Sequence, residues 1–337
     1  MCFRADGRGN SVKTKRNINF SDFPSAIVIF VVAVIYFAFA APRFLSMVNI
    51  YNLLTQSVIP CLLVVGVAMV IISGGMDLSV GGMLSLSGCL SGIALREGLP
   101  LPVAVLIGVG VGILCGLCNG LMISKMKIPP FIATLAMLNI AFGFSNTFSQ
   151  KKPVYWEPNA ILNAIGNGGV MGFPVFVIIG MLVITVIILV FYSTRLKTYT
   201  YVLGGNEEVL HLSGGNVTKW KLMIYSVSGM LAGIAGIMMN ARVSCADPTA
   251  GTGLEFTAVV GAVIGGNVQK TGKGTLFGAL LGAFTLSTMR NGLSLLKMQT
   301  HWQMVVTGIV LVVGILIHEL TVSIDSRKKV QKVGGVA

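Results

Sequence analysis

The sequence predicts an all-α polytopic membrane protein with about ten transmembrane helices. Of its 337 residues, 54% are hydrophobic and only 10% are charged, and the mean hydropathy is +0.86. A soluble core does not need so much apolar sequence. The apolar residues form continuous runs of about 20, the length that crosses a hydrocarbon layer of roughly 30 Å. Continuous, glycine-rich runs argue against a β-barrel, whose strands alternate in hydrophobicity over about ten residues.

Ten apolar segments are the candidate spans. In chain order they are Ser25–Ala41, Leu53–Ile72, Val80–Leu95, Val103–Ser124, Pro130–Phe148, Phe173–Tyr192, Leu222–Ala241, Leu254–Val268, Thr275–Leu295 and Trp302–Leu320. The third and eighth are short and rich in Gly and Ser, which is typical of broken or re-entrant helices. Eight full crossings are therefore the alternative count.

The distribution of basic residues predicts the orientation, because Lys and Arg are retained on the cytoplasmic side. With ten crossings and the N-terminus inside, 17 of the 24 Lys and Arg residues lie inside and 7 lie outside. The predicted organisation is a cytoplasmic tail (1–23), a membrane domain (24–320) with a long cytoplasmic loop (193–221), and a second cytoplasmic tail (321–337). This multi-pass topology in a plasma (bacterial inner) membrane explains the net charge of +13 and gives no support to nucleic-acid binding.

The sequence contains no complete motif of an enzyme active site or a metal site. The stretch from Gly266 to Gly274 resembles a phosphate-binding loop, but no Ser or Thr follows Lys273 and no soluble strand precedes it. The three histidines lie in different segments without partners at ligand spacing, so we expect no metal site. No nucleophile and base occur together. We therefore expect no catalytic residue and no cofactor in this chain.

The long cytoplasmic loop contains a predicted short helix between glycines. Asn206 is a suitable N-cap, Glu207 and Glu208 suit the positive end of the helix dipole, and Gly214 or Gly215 would end the helix. We expect an exposed apolar side, typical of a helix that docks into a partner's groove, while a helix lying on lipid is the alternative. The candidate docking segment comprises Gly204, Gly205, Asn206, Glu207, Glu208, Val209, Leu210, Leu212, Ser213 and Gly214.

Two acids stand close to apolar spans. Asp77 follows the second span, and Glu255 opens the eighth. Membrane-embedded acids are costly unless they are paired. One interpretation makes each carboxylate a helix cap that accepts backbone N–H groups, and the other places it at a gate where a hydroxylated solute passes. The cap or gate candidates are Gly74, Gly75, Asp77, Ser79 and Glu255.

Polar side chains on otherwise apolar spans are candidates for lining a solute pathway. Hydrogen bonding between helices needs the same residue types. The candidates are Gln56, Thr134, Asn139, Asn146, Asn240 and Asn291.

Four stretches, taken together and in order, resemble the permease family of ribose-type sugar ABC importers. They are Gly74-Gly75-Met76-Asp77-Leu78-Ser79-Val80-Gly81, Lys127-Ile128-Pro129-Pro130-Phe131-Ile132-Ala133-Thr134-Leu135, Gly204-Gly205-Asn206-Glu207-Glu208 with Leu212-Ser213-Gly214, and Ala258-Val259-Val260-Gly261-Ala262-Val263-Ile264-Gly265-Gly266. The likeness runs from about residue 52 to 318, and Gly215 and Phe256-Thr257 depart from the pattern.

The resemblance implies partners and a mechanism. It implies a second permease subunit, cytoplasmic ATPase subunits that bind ATP and Mg²⁺, and an extracytoplasmic solute-binding protein, with the loop helix received by the ATPase. It also implies an inverted-repeat architecture. A weak internal repeat agrees with this, because Asn119-Gly120-Leu121 recurs five spans later as Asn291-Gly292-Leu293.

The predicted function is therefore the membrane permease of an ATP-driven importer for a sugar or sugar-like solute. Permeases for a nucleoside, an autoinducer or a branched-chain amino acid are alternatives within the same class. An ion-coupled secondary transporter is the alternative from another class, although such carriers usually bury ionisable residues at mid-span, whereas the acids here lie at span ends.

Overall fold

A computed structural model describes residues 25–299, 301–303, 305–306, 308–309 and 312. The helices of this part are α1 (Ser25–Ala40), α2 (Met47–Ile72), α3 (Val80–Arg96), α4 (Leu101–Ser124), α5 (Pro130–Ser149), α6 (Ala160–Asn167), α7 (Val175–Ser193), α8 (Arg195–Gly205), α9 (Glu207–Leu212), α10 (Val217–Val243), α11 (Leu254–Ile264) and α12 (Leu276–Leu295). Strands β1 (Gly169–Val170) and β2 (Phe173–Pro174) pair antiparallel between α6 and α7.

The predicted helical membrane fold is confirmed, while the number of crossings stays a prediction. Among the described residues, five helices are long and apolar enough to span a membrane, namely α2, α4, α5, α7 and α10. The third and eighth candidate spans are short helices, α3 and α11, of 17 and 11 residues. At 1.5 Å per residue α11 extends only roughly 16 Å, about half of the hydrocarbon layer. Both predicted tails and most of the tenth span lie outside the described residues.

Two spans begin five or six residues earlier than predicted, because capping residues start them before the apolar runs. The helix predicted from Leu53 begins at Met47, where the Ser46 hydroxyl accepts a hydrogen bond from the backbone N–H of Asn49. The helix predicted from Leu222 begins at Val217, where Asn216 caps it. Helices α6 and α8 and the short hairpin were not predicted, since their sequences are too short or too polar for a membrane span.

Helix α2 is the central element of the fold. It packs against α7, α8, α10, α11 and α12, and 83% of its most apolar 18-residue stretch is buried. Only 22%, 33% and 28% of the corresponding stretches of α4, α5 and α7 are buried, as expected for helices that face lipid. Helix α2 is thus buried in the protein interior, and its neighbours carry the outer surface.

Helix α4 packs most closely on α10, and glycines make the approach possible. A Cβ atom at Gly112 would overlap the carbonyl oxygen of Gly229, and one at Gly116 would overlap that of Tyr225. Small residues spaced by four let membrane helices pack backbone to backbone. The stripe on α4 consists of Gly108, Gly112, Gly116 and Gly120.

The loops gather at two opposite ends of the helices. At one end Val154 pairs with Ala246 through two backbone hydrogen bonds of 2.9 Å. At the other end Gln269 donates to the carbonyl of Gly75, and Tyr201 donates to the carbonyl of Gly274. The sequence predicts Val154 and Ala246 outside, and it predicts Gln269, Gly75, Tyr201 and Gly274 inside. Each contact therefore joins loops that are predicted on the same side of the membrane.

The glycine stripe on α4 generates a paired test. Gly112→Ala should lower the free energy of unfolding by about 1–3 kcal/mol, because the added methyl group overpacks the α10 backbone. Gly110→Ala is the matched control. Nothing lies within 4 Å of a Cβ there, and alanine favours a helix over glycine by about 1 kcal/mol. Thermal unfolding in detergent measures both, and equal stability of the two variants would contradict backbone contact between α4 and α10.

Candidate functional site

The Asp77 carboxylate joins three parts of the fold. Oδ1 accepts the backbone N–H and the hydroxyl of Ser79, and Oδ2 accepts the Ser228 hydroxyl of α10 at 2.8 Å. The Ser79 hydroxyl in turn accepts the Asn119 amide of α4 at 2.8 Å. These side chains are buried, with Asp77 at 0% exposure. We call this network of Asp77, Ser79, Asn119 and Ser228 the Asp77 clasp.

The prediction that Asp77 caps the third span is wrong in its detail. The residue before α3 is Ser79, whose side chain makes no capping hydrogen bond, and Asp77 closes a turn onto Ser79 instead. The preceding glycines are used in different ways. Gly74 adopts φ +87° where α2 ends, whereas Gly75 leaves room for the Tyr225 hydroxyl.

Glu255 lies in the first turn of α11 and is not its N-cap residue, so the capping interpretation is wrong in its detail here as well. Its Oε1 accepts the N–H of Gly253, the residue at the N-cap, at 3.1 Å. Its Oε2 is buried against Gly81 and has no hydrogen-bond partner among the described residues. Glu255 therefore holds the turn between α10 and α11 against the start of α3.

The loop between α7 and α10 contains two helices where one was predicted. Asn206 caps α9 as expected, since its Oδ1 accepts the N–H groups of Glu208 and Val209. Gly214, at φ +79°, ends that helix as predicted. The chain before Asn206 is also helical, because Gly204 and Gly205 form the last turn of α8. We call α8 and α9 together the α8–α9 platform.

The exposure of the platform differs from the prediction at one residue. Leu210 is 2% exposed and belongs to the main hydrophobic core, so it is not available to a partner. Val209 and Leu212 are 54% and 79% exposed. The exposed apolar side of α9 consists of these two residues alone, because α9 turns Leu210 toward the membrane domain.

Several contacts fasten the platform to the membrane helices. Lys221 of α10 pairs with Glu207 at 2.6 Å, and the rings of Tyr199 and Trp220 stack with centroids 3.9 Å apart. A Cβ at Gly204 would overlap the carbonyl oxygen of Ile72, so α8 lies directly on the end of α2. Burial raises the pKa of Tyr201 to about 12, and the protonated hydroxyl donates to Gly274.

Most of the predicted pathway side chains are used within the fold. On α5, the side chains of Thr134, Asn139 and Asn146 each donate a hydrogen bond to the backbone carbonyl four residues earlier. Asn240 donates to the Gly88 carbonyl and ties α10 to α3. Asn291 exchanges two hydrogen bonds with Asn49, tying α12 to α2. These five side chains are placed as structural hydrogen-bonding groups.

Gln56 differs from the others, because it lines a cavity of about 180 Å³ between α2, α10 and α12. Arg242 and Arg290 line the same cavity. Both arginines are among the seven basic residues predicted outside. An arginine within an apolar span is itself a signal of function in a membrane protein, and this signal would have identified Arg290.

The Asp77 clasp generates a graded test. Asp77→Ala should destabilise the fold strongly, because it leaves the buried Ser79 N–H and Ser228 hydroxyl without an acceptor, at about 1–3 kcal/mol for such a group. Asp77→Asn should cost much less, since its oxygen can still face Ser79 and its amide can donate to Ser228. Thermal unfolding in detergent ranks the variants. Normal folding of Asp77→Asn with loss of solute uptake would contradict a purely structural role and favour the gate interpretation.

Comparison with known proteins agrees with this architecture. Residues 49–315 match the family described as the branched-chain amino acid transport system / permease component. The chain is 36% identical over 280 residues to the ribose import permease protein RbsC of Escherichia coli strain K12, covering 82% of this chain and 87% of the relative. It is 36% identical over 287 residues to RbsC of Bacillus subtilis strain 168, covering 85% and 89%.

A further relative, the D-allose transport system permease protein AlsC of Escherichia coli strain K12, is 33% identical over 313 residues, covering 91% of this chain and 95% of the relative. No solved structure matches the chain. Because both the family model and these relatives extend over most of the sequence, the chain belongs to the permease family of ribose-type ABC importers.

Proposed function

We propose that this chain is the membrane subunit of an ATP-driven importer for a sugar or sugar-like solute. An extracytoplasmic binding protein delivers the solute, a second permease subunit completes the pathway, and separate ATPase subunits bind ATP and Mg²⁺ and hydrolyse the nucleotide. The names of the relatives, which import ribose or transport D-allose, support a sugar over the branched-chain amino acid in the family description.

The observation that carries the proposal is the construction of the α8–α9 platform. Helix α9 has six residues and cannot span a membrane. It exposes Val209 and Leu212 on the protein surface, while Leu210 fixes the helix to the core. A groove beside it is lined by both polar and apolar groups, including Lys127, Glu208 and Leu212. Exposed apolar groups on a rigidly held polar segment suit a partner protein.

The platform is also placed to transmit the motion of an ATPase. It lies on the end of α2 through Gly204 and is tied to α10 through Lys221 and Trp220. Packed helices move as rigid elements, so a displacement of α9 reaches both central helices. In the proposed orientation this end and both termini face the cytoplasm.

Loss of the exposed leucine tests the contact with the ATPase. Leu212→Asp should reduce co-purification of the ATPase subunit and binding-protein-stimulated ATP hydrolysis in vesicles, because burying a leucine contributes roughly 1.5–3 kcal/mol, or tenfold and more in affinity. The matched control is Ile161→Asp on α6, at the other end of the molecule, where the side chain is 60% exposed. Full ATPase binding and full stimulation in Leu212→Asp would reject the platform as the docking element.

Accessibility of single cysteines tests the orientation. In a variant without the six native cysteines, Ile161→Cys should react with a membrane-impermeant maleimide in intact cells. Leu212→Cys should react only after the membrane is permeabilised, because the 17 to 7 distribution of basic residues places α9 in the cytoplasm. The reverse pattern would invert the proposed orientation, and labelling of both in intact cells would contradict the proposed crossings.

A further inference from the structure

Two arginines share the cavity between α2, α10 and α12. Its polar lining consists of Gln56, Arg242, Ser287 and Arg290, and its apolar lining includes Ile59 and Met239. Arg242 lies in the last turn of α10, and Arg290 lies within α12, five residues from its end. In the proposed orientation both helices run outward, so the cavity lies in the extracytoplasmic half of the membrane domain.

Neither guanidinium has a carboxylate partner among the described residues. The ion pairs in this part of the chain are Arg96–Glu97 and Lys221–Glu207. Arg242 reaches only the Thr55 carbonyl, at 3.5 Å, and its guanidinium stands 5.9 Å from the centre of the Phe176 ring. Arg290 donates to the Thr257 hydroxyl at 2.9 Å. Each guanidinium has five N–H donors, so most of them remain available.

The acidic side chains nearest in sequence accept hydrogen bonds from other groups. Glu255 directs one oxygen to the Gly253 N–H and the other toward Gly81, and it does not line the cavity. Asp247 accepts the N–H and hydroxyl of Thr249. Leu254, the first residue of α11, does line the cavity, so the positive end of that helix dipole adds to the two arginines.

This concentration of positive charge identifies the chemistry of an occupant. Two cations held near each other in a membrane domain are costly without an anion. Planar guanidinium groups bind carboxylates and phosphates through paired N–H donors. Gln56 and Ser287 add groups that can exchange hydrogen bonds with hydroxyls. A small hydroxylated molecule with an acidic group satisfies every polar side chain of this cavity.

We infer that this cavity binds the acidic group of the transported solute, and that the importer carries a sugar acid or sugar phosphate instead of a neutral sugar. The inference rests on the proposed import function and specifies its substrate class. The arginines receive the carboxylate or phosphate after the binding protein releases the solute, and the hydroxyl groups of the solute face Gln56 and Ser287.

The test is thermal unfolding of the purified permease in detergent with matched probes. D-Ribonate and D-ribose 5-phosphate should raise the melting temperature in a concentration-dependent manner, whereas D-ribose and sodium sulfate at the same ionic strength should not. Arg242→Gln and Arg290→Gln should each weaken the effect of the acids about tenfold or more, as expected for loss of a charge-assisted hydrogen bond. Arg96→Gln is the control, because Arg96 is exposed and paired with Glu97.

Several results would overturn the inference. They are equal stabilisation by D-ribose, equal stabilisation by sulfate, and a response to the acids that survives both arginine substitutions. An arginine-dependent response to phosphatidylglycerol alone would assign the cavity to a lipid headgroup and would also overturn it. If Arg290→Gln does not fold, Arg290→Lys keeps the charge without the planar donor pair and should bind the acids more weakly than the unsubstituted protein.

These outcomes are separable from those of the import proposal. Co-purification of the ATPase depends on Leu212 and not on the charge of the solute. ATPase binding without stabilisation by the acids would reject only the acidic substrate. Stabilisation by the acids without ATPase binding would reject the ATP-driven importer and leave the oxyanion site in place.

Discussion

The burial of α2 is the constraint on which the rest of the structure depends. Because this helix is apolar on all sides and largely enclosed, its neighbours must pack around it, and only its two ends can meet polar groups. At its first turn Asn49 pairs with Asn291 of α12. Beyond its last turn Gly74 and Gly75 lead the chain into Asp77. Both ends are thus closed by buried hydrogen bonds, which are obligatory where water is absent.

Helices α2 and α10 connect the two regions to which we assign function. Lys221 and Trp220, near the start of α10, hold the α8–α9 platform, and Arg242 at its other end lines the arginine cavity. Helix α2 lines the cavity with Gln56, in its first half, and contacts the platform at Ile72, its last residue. The Asp77 clasp binds these two helices together near the platform through Ser228. A partner that displaces the platform therefore acts on the helices that line the cavity.

The polar side chains of the membrane helices divide into two physical classes. Thr134, Asn139 and Asn146 donate to carbonyls of their own helix, whereas Asn240 and Asn291 bond across helices. Each of these side chains donates at least one hydrogen bond within the protein. The arginines of the cavity differ, because their donors outnumber the acceptors around them. This excess distinguishes a candidate binding group from a structural one.

The sequence by itself determined the helical membrane fold, the short third and eighth helices, the cap at Asn206 and the end of α9 at Gly214. These features depend on composition and on neighbours a few residues away, so a single sequence contains the information. Only the tertiary structure decided that Leu210 points inward, that Asp77 bonds Ser228 across 151 positions, and that Arg242 and Arg290 line one cavity with Gln56. Such contacts join residues far apart in the chain, and they are set by how the helices pack around α2, which no local pattern specifies.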